Sequence, residues 1–209
     1  MILCTARSGS TWLHTLLNSH PQIHSKGEII LENHRNQQLP FEHIAFTREA
    51  RIINAGGLKV FYDKEIYEEA LAKVLDDVSI KIILLYRENL LEQFVSLKLA
   101  EQASSWSHSN KEKPRQVVLD LKQVQSYVAR QQQRLDSIKK ELSNHEVMEM
   151  SYEDLQSNTS TVCRQLQVFL GVRYFRLRSI LRKQGSKNIR DHISNWEAVK
   201  DELIHIHGV

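Results

Sequence analysis

Met1-Ile2-Leu3-Cys4-Thr5-Ala6-Arg7-Ser8-Gly9-Ser10-Thr11-Trp12-Leu13 is the stretch that decides the fold. Met1 to Cys4 is a short apolar run and reads as a strand. Thr5 to Ser10 is a loop of small residues carrying one cation, Arg7. Trp12, Leu13, Leu16 and Leu17 then share one helical face, and the helix ends near Asn18 and Pro21. A strand, a tight loop and a helix in that order aim backbone N–H groups and the positive helix end at one point. Ser8, Ser10 and Thr11 add hydroxyl donors, and Arg7 adds a forked positive charge. The loop therefore suits a phosphate or a sulfate. The plain alternative is a capped helix with an exposed Arg. GxxxxGK[ST] is absent and no Lys precedes the Ser/Thr, which disfavours an ATP-dependent kinase.

Ile80 to Tyr86 is a buried strand rich in aliphatic residues. A helix follows, with Asn89 as its N-cap and Leu90, Phe94 and Leu97 facing inward. Arg87 stands just past the strand, and Ser96 lies about two turns into the helix. A cation and a hydroxyl at that sheet edge can hold a second phosphate, although each is equally at home in solvent. Leu58 to Tyr62 reads as a strand after Gly56-Gly57, and Lys64 to Leu75 as a helix. Lys59 on that strand points either at the active edge or at solvent.

Residues 22–56 read as loop with short helices, and 104–114 as a polar loop. Arg115 to Ser143 reads as one long helix, with an apolar stripe at Val117, Leu121, Val124, Val128, Leu135, Ile138 and Leu142. Packing on the core accounts for that stripe, and pairing into a homodimer is the alternative. Val147 to Met150 predicts a last strand, and 158–170 and 188–206 predict closing helices. Strand, loop and helix in repetition give an α/β fold with a mainly parallel central sheet covered on both faces. Ligands of such sheets bind beyond the carboxyl ends of the strands.

With 209 residues, 41% hydrophobic and 25% charged, the chain is expected to form a single domain over 1–209. Seven Gly and three Pro are few for an all-β chain of many hairpins. A net charge of +3 does not demand nucleic acid, but suits a small polyanion where cations converge. Cys4 and Cys163 stand far apart and exclude a Cys-rich zinc site. His205 and His207 lack a third ligand, so no metal is expected. No apolar run approaches the ~20 residues of a membrane span, and no leader pattern opens the sequence. A cytoplasmic location is the expectation.

The two anion segments together resemble the sulfotransferase superfamily that uses 3′-phosphoadenosine-5′-phosphosulfate. T-x-R-S-G-S-T-W-L at Thr5–Leu13 resembles its 5′-phosphosulfate loop. Arg87-x-Asn89, with Ser96 nine residues after the Arg, resembles its 3′-phosphate segment. The likeness is nearest to bacterial carbohydrate and glycolipid enzymes of the trehalose and nodulation-factor type. Cytosolic steroid and phenol enzymes carry Lys where Arg7 stands, and their Arg-to-Ser spacing is one residue shorter. Gly57-Leu58-Lys59 and the region from Lys183-Gln184-Gly185 to Trp196 resemble later segments of these relatives.

The resemblance implies a three-layer, P-loop-like fold and in-line sulfuryl transfer from that nucleotide to a carbohydrate or glycolipid hydroxyl, without a metal. It implies donor contacts at Arg7, Ser8, Gly9, Ser10, Thr11 and Trp12 for the 5′ end. For the 3′-phosphate it implies Arg87, Ser96 and Lys183. Trp12 serves equally as a core residue of the first helix. Arg7 would also stabilise the leaving phosphate, and Glu28 would be the general base, with His20 and His24 as rivals. Acceptor contacts would come from 29–56 and 104–116, whose Asn33, His34, Arg35, His43, Trp106 and His108 suit a sugar. A nucleotide-binding module without turnover is the other reading.

Overall fold

The computed structural model describes residues 1–27, 53–102, 116–181 and 188–207, with side chains of the last helix as far as Leu203. Glu28, Lys183 and most of the expected acceptor stretches, including the polar loop at 104–114, lie outside the described residues. The chain divides into two compact units, Met1–Glu88 with Ser137–Arg182, and Asn89–Asp136 with Lys183–Val209.

The first unit is built on four parallel strands in the order β4-β1-β5-β6. These are β1 (Ile2–Cys4), β4 (Lys59–Phe61), β5 (Ile82–Tyr86) and β6 (Val147–Ser151). Leu3 sits opposite Val60 on one side and Leu84 on the other. Leu3, Cys4, Val60, Ile82, Leu84 and Leu85 are wholly buried. Strands of a parallel sheet are covered on both faces, which is why they read as unbroken apolar runs rather than alternating ones. The flanking helices are α1 (Ser10–Asn18), α2 (Glu68–Asp76), α5 (Tyr152–Ser157) and α6 (Thr159–Phe169). Three of them bury a stripe, Leu13, Leu16 and Leu17 on α1, Ala70, Leu71 and Val74 on α2, and Val162, Cys163 and Leu166 on α6, while the short α5 buries Leu155. A 3-10 turn at Glu65–Tyr67 begins what the sequence gives as one helix from Lys64.

Residues 22–56 are not loop at their two ends. Ile23–Ser25 (β2) and Ala55–Gly57 (β3) pair in parallel as a separate two-stranded sheet. Three-residue strands carry too little periodicity to be seen locally. β2 is held instead by a side chain of α1. Ser25 N–H donates to Asn18 Oδ1 at 2.7 Å, and Asn18 Nδ2 donates to the Ser25 carbonyl at 2.8 Å. Asn18 thus acts as a strand neighbour for a buried residue.

In the second unit, α3 (Leu90–Gln102) is capped by Asn89, whose Oδ1 accepts the Glu92 N–H at 2.9 Å. Leu91, Phe94 and Val95 enter a core with Val117, Leu119, Val124, Tyr127, Val128, Ile193, Val199 and Leu203. The long helix α4 starts at Leu121, not Arg115, and runs to Glu141. Val117 is extended and bridges Ile193, with Val117 N–H donating to the His192 carbonyl and Ser194 N–H to the Val117 carbonyl, both at 2.9 Å. That pairing also splits the last predicted helix into a 3-10 turn (Ile189–His192) and α7 (Trp196–His207). Of the apolar stripe, Val117, Val124, Val128, Ile138 and Leu142 are buried and Leu121 and Leu135 are half-buried, Val117 reaching the core from an extended segment. Among the described residues, no helix is long and apolar enough to cross a membrane.

Replacing Asn18 by Ala would leave the Ser25 N–H and carbonyl without their partners. The expected cost is about 1–3 kcal/mol of unfolding free energy, read from denaturant melts.

Candidate active site

The strand order changes direction at β1, which has β4 on one side and β5 on the other. Loops leaving the carboxyl ends of β1 and β5 therefore open onto one crevice, the place where such sheets bind ligands. The loop after β1 is Thr5–Gly9, and the residue after β5 is Arg87.

Two residues of the loop are left-handed, Arg7 at φ 61° and Gly9 at φ 85°. Arg7 is the only non-glycine residue with positive φ among those described, a conformation costing about 1–2 kcal/mol. Arg87 holds it there, donating from Nη1 to the Arg7 carbonyl at 3.3 Å. Gly9 is the N-cap of α1 and supplies no side-chain cap. The first amides of the helix have no intrahelical acceptor and are available to an anion. Ser8 is spent on the loop itself, because its Oγ donates to the Thr5 carbonyl at 2.8 Å. Thr11 is exposed, and Trp12 is half-buried, edge-on to Tyr152 at 6.1 Å.

The positive charges gather at this edge. Burial first, and the neighbouring Arg87 charge second, draw the Arg7 guanidinium below its ordinary pKa. Both causes describe a cation partly withdrawn from water and near another cation, and a bound anion would offset both. The Arg87 side chain is only 9% exposed. Its guanidinium lies 4.7 Å over the Tyr152 ring, and its Nε is 3.6 Å from Glu153 Oε1. Glu153 Oε2 accepts the Glu88 N–H at 3.0 Å. Lys59, 3% exposed, settles its open orientation by turning inward, with Nζ 3.4 Å from Ser10 Oγ.

Tyr152 and Glu153 are the residues that sequence reading missed. The register of β6 on β5 places Ser151 opposite Tyr86, so the residues that follow each strand, Tyr152 and Arg87, emerge side by side. An aromatic and a carboxylate immediately after the last strand were the available signal. They needed the strand order to be interpreted.

His20 is removed as a rival base. Its Nδ1 accepts the Gln22 N–H at 3.0 Å, which leaves Nε2 to donate to the Arg173 carbonyl at 2.8 Å. Both nitrogens are occupied in a buried structural role. His24 is exposed on β2. The Gly27 carbonyl accepts the Lys59 N–H at 2.9 Å, and Glu28 is the next residue in sequence, outside those described. Ser96 is half-buried on α3 in the second unit.

A known family, described as the sulfotransferase domain, matches residues 1–202, through both units. The chain belongs to the sulfotransferase family. Nodulation protein H of Rhizobium tropici is 24% identical over 216 residues, covering 94% of this chain and 85% of that protein. A sulfotransferase from Alicyclobacillus acidocaldarius superposes with a TM-score of 0.59 at 14% identity, over 99% of this chain and 90% of its own. The sulfotransferase domain from the curacin biosynthetic pathway gives 0.52 at 16% identity, over 94% and 84%. At such identities the two structures speak to the fold, which is the expected α/β, P-loop-like one. The protein is thus a sulfotransferase-family enzyme whose crevice gathers Arg7, Arg87 and Lys59.

Gly9 carries a test of how tightly this sulfotransferase loop is packed. A Cβ there would run into the Tyr152 ring, whereas a Cβ at Gly171, also left-handed at φ 68°, would meet nothing within 4 Å. Gly9→Ala should therefore cost more than Gly171→Ala by at least about 1 kcal/mol in a denaturant melt, since only backbone strain is common to both.

Proposed function

We propose that the enzyme transfers the sulfuryl group of 3′-phosphoadenosine-5′-phosphosulfate to a hydroxyl of a carbohydrate or glycolipid, in the cytoplasm. The observation that carries this reading is the convergence of Arg7, Arg87 and Lys59 on the helix end at one sheet edge. Glu153 is the carboxylate paired to one of them. Such a cluster fits a nucleotide with phosphate at both its 5′ and 3′ ends.

When bound, the nucleotide supplies an activated sulfuryl group. The acceptor oxygen bonds to sulfur as the bond from sulfur to the 5′-phosphate oxygen breaks, and the electron pair stays on that phosphate. Arg7 and the amides of Gly9 to Trp12 face the developing negative charge as fixed donors that need no reorganisation. Ser10 and Thr11 add hydroxyls, and Ser8 shapes the turn. Arg87, steadied by Tyr152 and Glu153, takes the 3′-phosphate, a role shared by Ser96 and Lys183 on the strength of the family resemblance. Glu28 accepts the proton of the acceptor hydroxyl. With His20 committed to structure, the carboxylate loses one competitor for that task. The acceptor class rests on the likeness to carbohydrate and glycolipid enzymes.

Calorimetric titration with 3′-phosphoadenosine-5′-phosphate, with ATP and AMP alongside, tests the donor. Micromolar or tighter binding of the bisphosphate and much weaker binding of the others is expected. Arg7→Ala and Ser96→Ala should each weaken it by about tenfold or more. Absence of selective binding would overturn the donor assignment. Glu28→Gln should leave this affinity in place while kcat falls by about 10²–10⁴. Full turnover by Glu28→Gln would remove Glu28 as the base.

A further inference from the structure

Beyond the end of α6 the first unit carries the segment Arg173-Tyr174-Phe175-Arg176-Leu177-Arg178-Ser179-Ile180-Leu181, which the sulfotransfer reading does not use. It has no regular secondary structure up to Ser179, yet it is tied down along its length. The Arg173 carbonyl accepts from His20 Nε2 at 2.8 Å, and Phe175 N–H donates to Gln167 Oε1 at 2.5 Å. Arg178 N–H donates to Ser19 Oγ at 2.9 Å, and the Ser179 and Thr15 hydroxyls meet at 2.6 Å. Phe175 sets its ring edge-on to His20 at 5.5 Å and Ser179 turns to Thr15, while the other side chains face outward in part or in full. Tyr174 is 63% exposed, Phe175 44% and Ile180 94%. The cations are exposed as well, and Arg164 lies 5.1 Å over the Tyr174 ring.

Two features together narrow what this surface meets. From Leu155 to Leu181 the sequence holds Arg164, Arg173, Arg176 and Arg178 and no Asp or Glu. The segment itself therefore carries charge of one sign only. Among them stand Tyr174 and Ile180, which the fold leaves mostly in water, and Phe175 and Leu181, which are partly exposed. A soluble polyanion would use the arginines and gain little from the aliphatic side chains. An anionic bilayer uses both, with arginines at the headgroups and Tyr174 and Ile180 at the acyl boundary.

We propose that Arg173–Leu181, with Arg164 beside Tyr174, docks this protein on the surface of an anionic lipid bilayer. The contact is interfacial and reversible, driven by charge and by a small apolar insertion. It does not rest on the identity of the sulfuryl donor or acceptor.

The test is flotation of the full chain with vesicles of phosphatidylcholine, with and without phosphatidylglycerol. Binding is expected only to the vesicles containing phosphatidylglycerol, and it should weaken as salt is raised. Two variants divide the contributions, Tyr174→Ser with Ile180→Ser, and Arg173→Gln with Arg176→Gln and Arg178→Gln. Each should lower vesicle affinity by about tenfold or more, with melting temperature and bisphosphate binding as in the parent. Failure of the parent to bind would overturn the proposal. So would loss of binding in the arginine variant with full binding in the Tyr174/Ile180 variant, an outcome that would assign the surface to a soluble polyanion instead.

Discussion

The guanidinium of Arg87 reaches back across the sheet edge to the carbonyl of Arg7, and the geometry of the crevice depends on that contact. It exists because β1 and β5 are parallel neighbours, in register from Ile2 opposite Ile83 to Cys4 opposite Leu85. Their carboxyl ends are level, so the residues that follow are brought within reach. The contact fixes Arg7 in a left-handed conformation and sets one cation beside another. Two unit charges a few ångströms apart repel by roughly 1–4 kcal/mol at the dielectric of a protein surface, depending on exposure. The fold tolerates this by setting Arg87 over the Tyr152 ring and near Glu153, while Arg7 has its pKa drawn down. The remaining electrostatic imbalance is what an anionic ligand would neutralise, and it is present before any ligand arrives.

Tyr152 links this charge pair to the loop. Its ring lies under Arg87, meets Trp12 edge-on, and occupies the space a side chain at Gly9 would need. Gly9 is therefore required twice, once for its dihedral angle and once for its missing Cβ. The helix start, the loop and Arg87 are thus packed on one aromatic ring at the end of β6. Preorganisation of this kind is what transfer chemistry needs, since donors already in place cost nothing to orient as charge develops.

The loop at Thr5–Gly9, the strand at Ile82–Tyr86 and the cap at Asn89 were legible because each is written in consecutive residues. Arg87 was legible as a cation past a strand, but its partners were not, because Tyr152 and Glu153 lie more than sixty residues away in sequence. Lys59 could not be oriented from its strand alone. Its inward turn shows only in the contact of Nζ with Ser10 Oγ, a residue forty-nine positions away. β2 and β3 are missed for a similar reason, as each is stabilised by its neighbour and by Asn18 rather than by its own composition. The start of α4 at Leu121 rather than Arg115 has two causes: Val117 keeps the helical spacing of the stripe but is taken by Ile193 into an extended pairing, and Asp120 Oδ1 accepts the Lys122 and Gln123 N–H groups.

Helix α1 is where the functions of the first unit meet. Its amino end follows the Thr5–Gly9 loop. Its middle and last turn hold β2, through the His14 contact to Ser25 Oγ at 2.7 Å and the paired bonds of Asn18, and β2 leads to Gly27 beside Lys59. Thr15 of α1, with Ser19 and His20 just past its end, holds the arginine-rich segment. A nine-residue helix cannot bend much along its length, so these attachments are fixed relative to one another. Docking through Arg173–Leu181 would then orient the anion crevice with respect to the bilayer without any further contact. An acceptor held in that bilayer would be approached from one direction. The same rigidity means that a change at the tether residues Thr15 or Ser19 would act on bilayer docking before it acted on the charge pair of Arg7 and Arg87, which β1 and β5 hold independently.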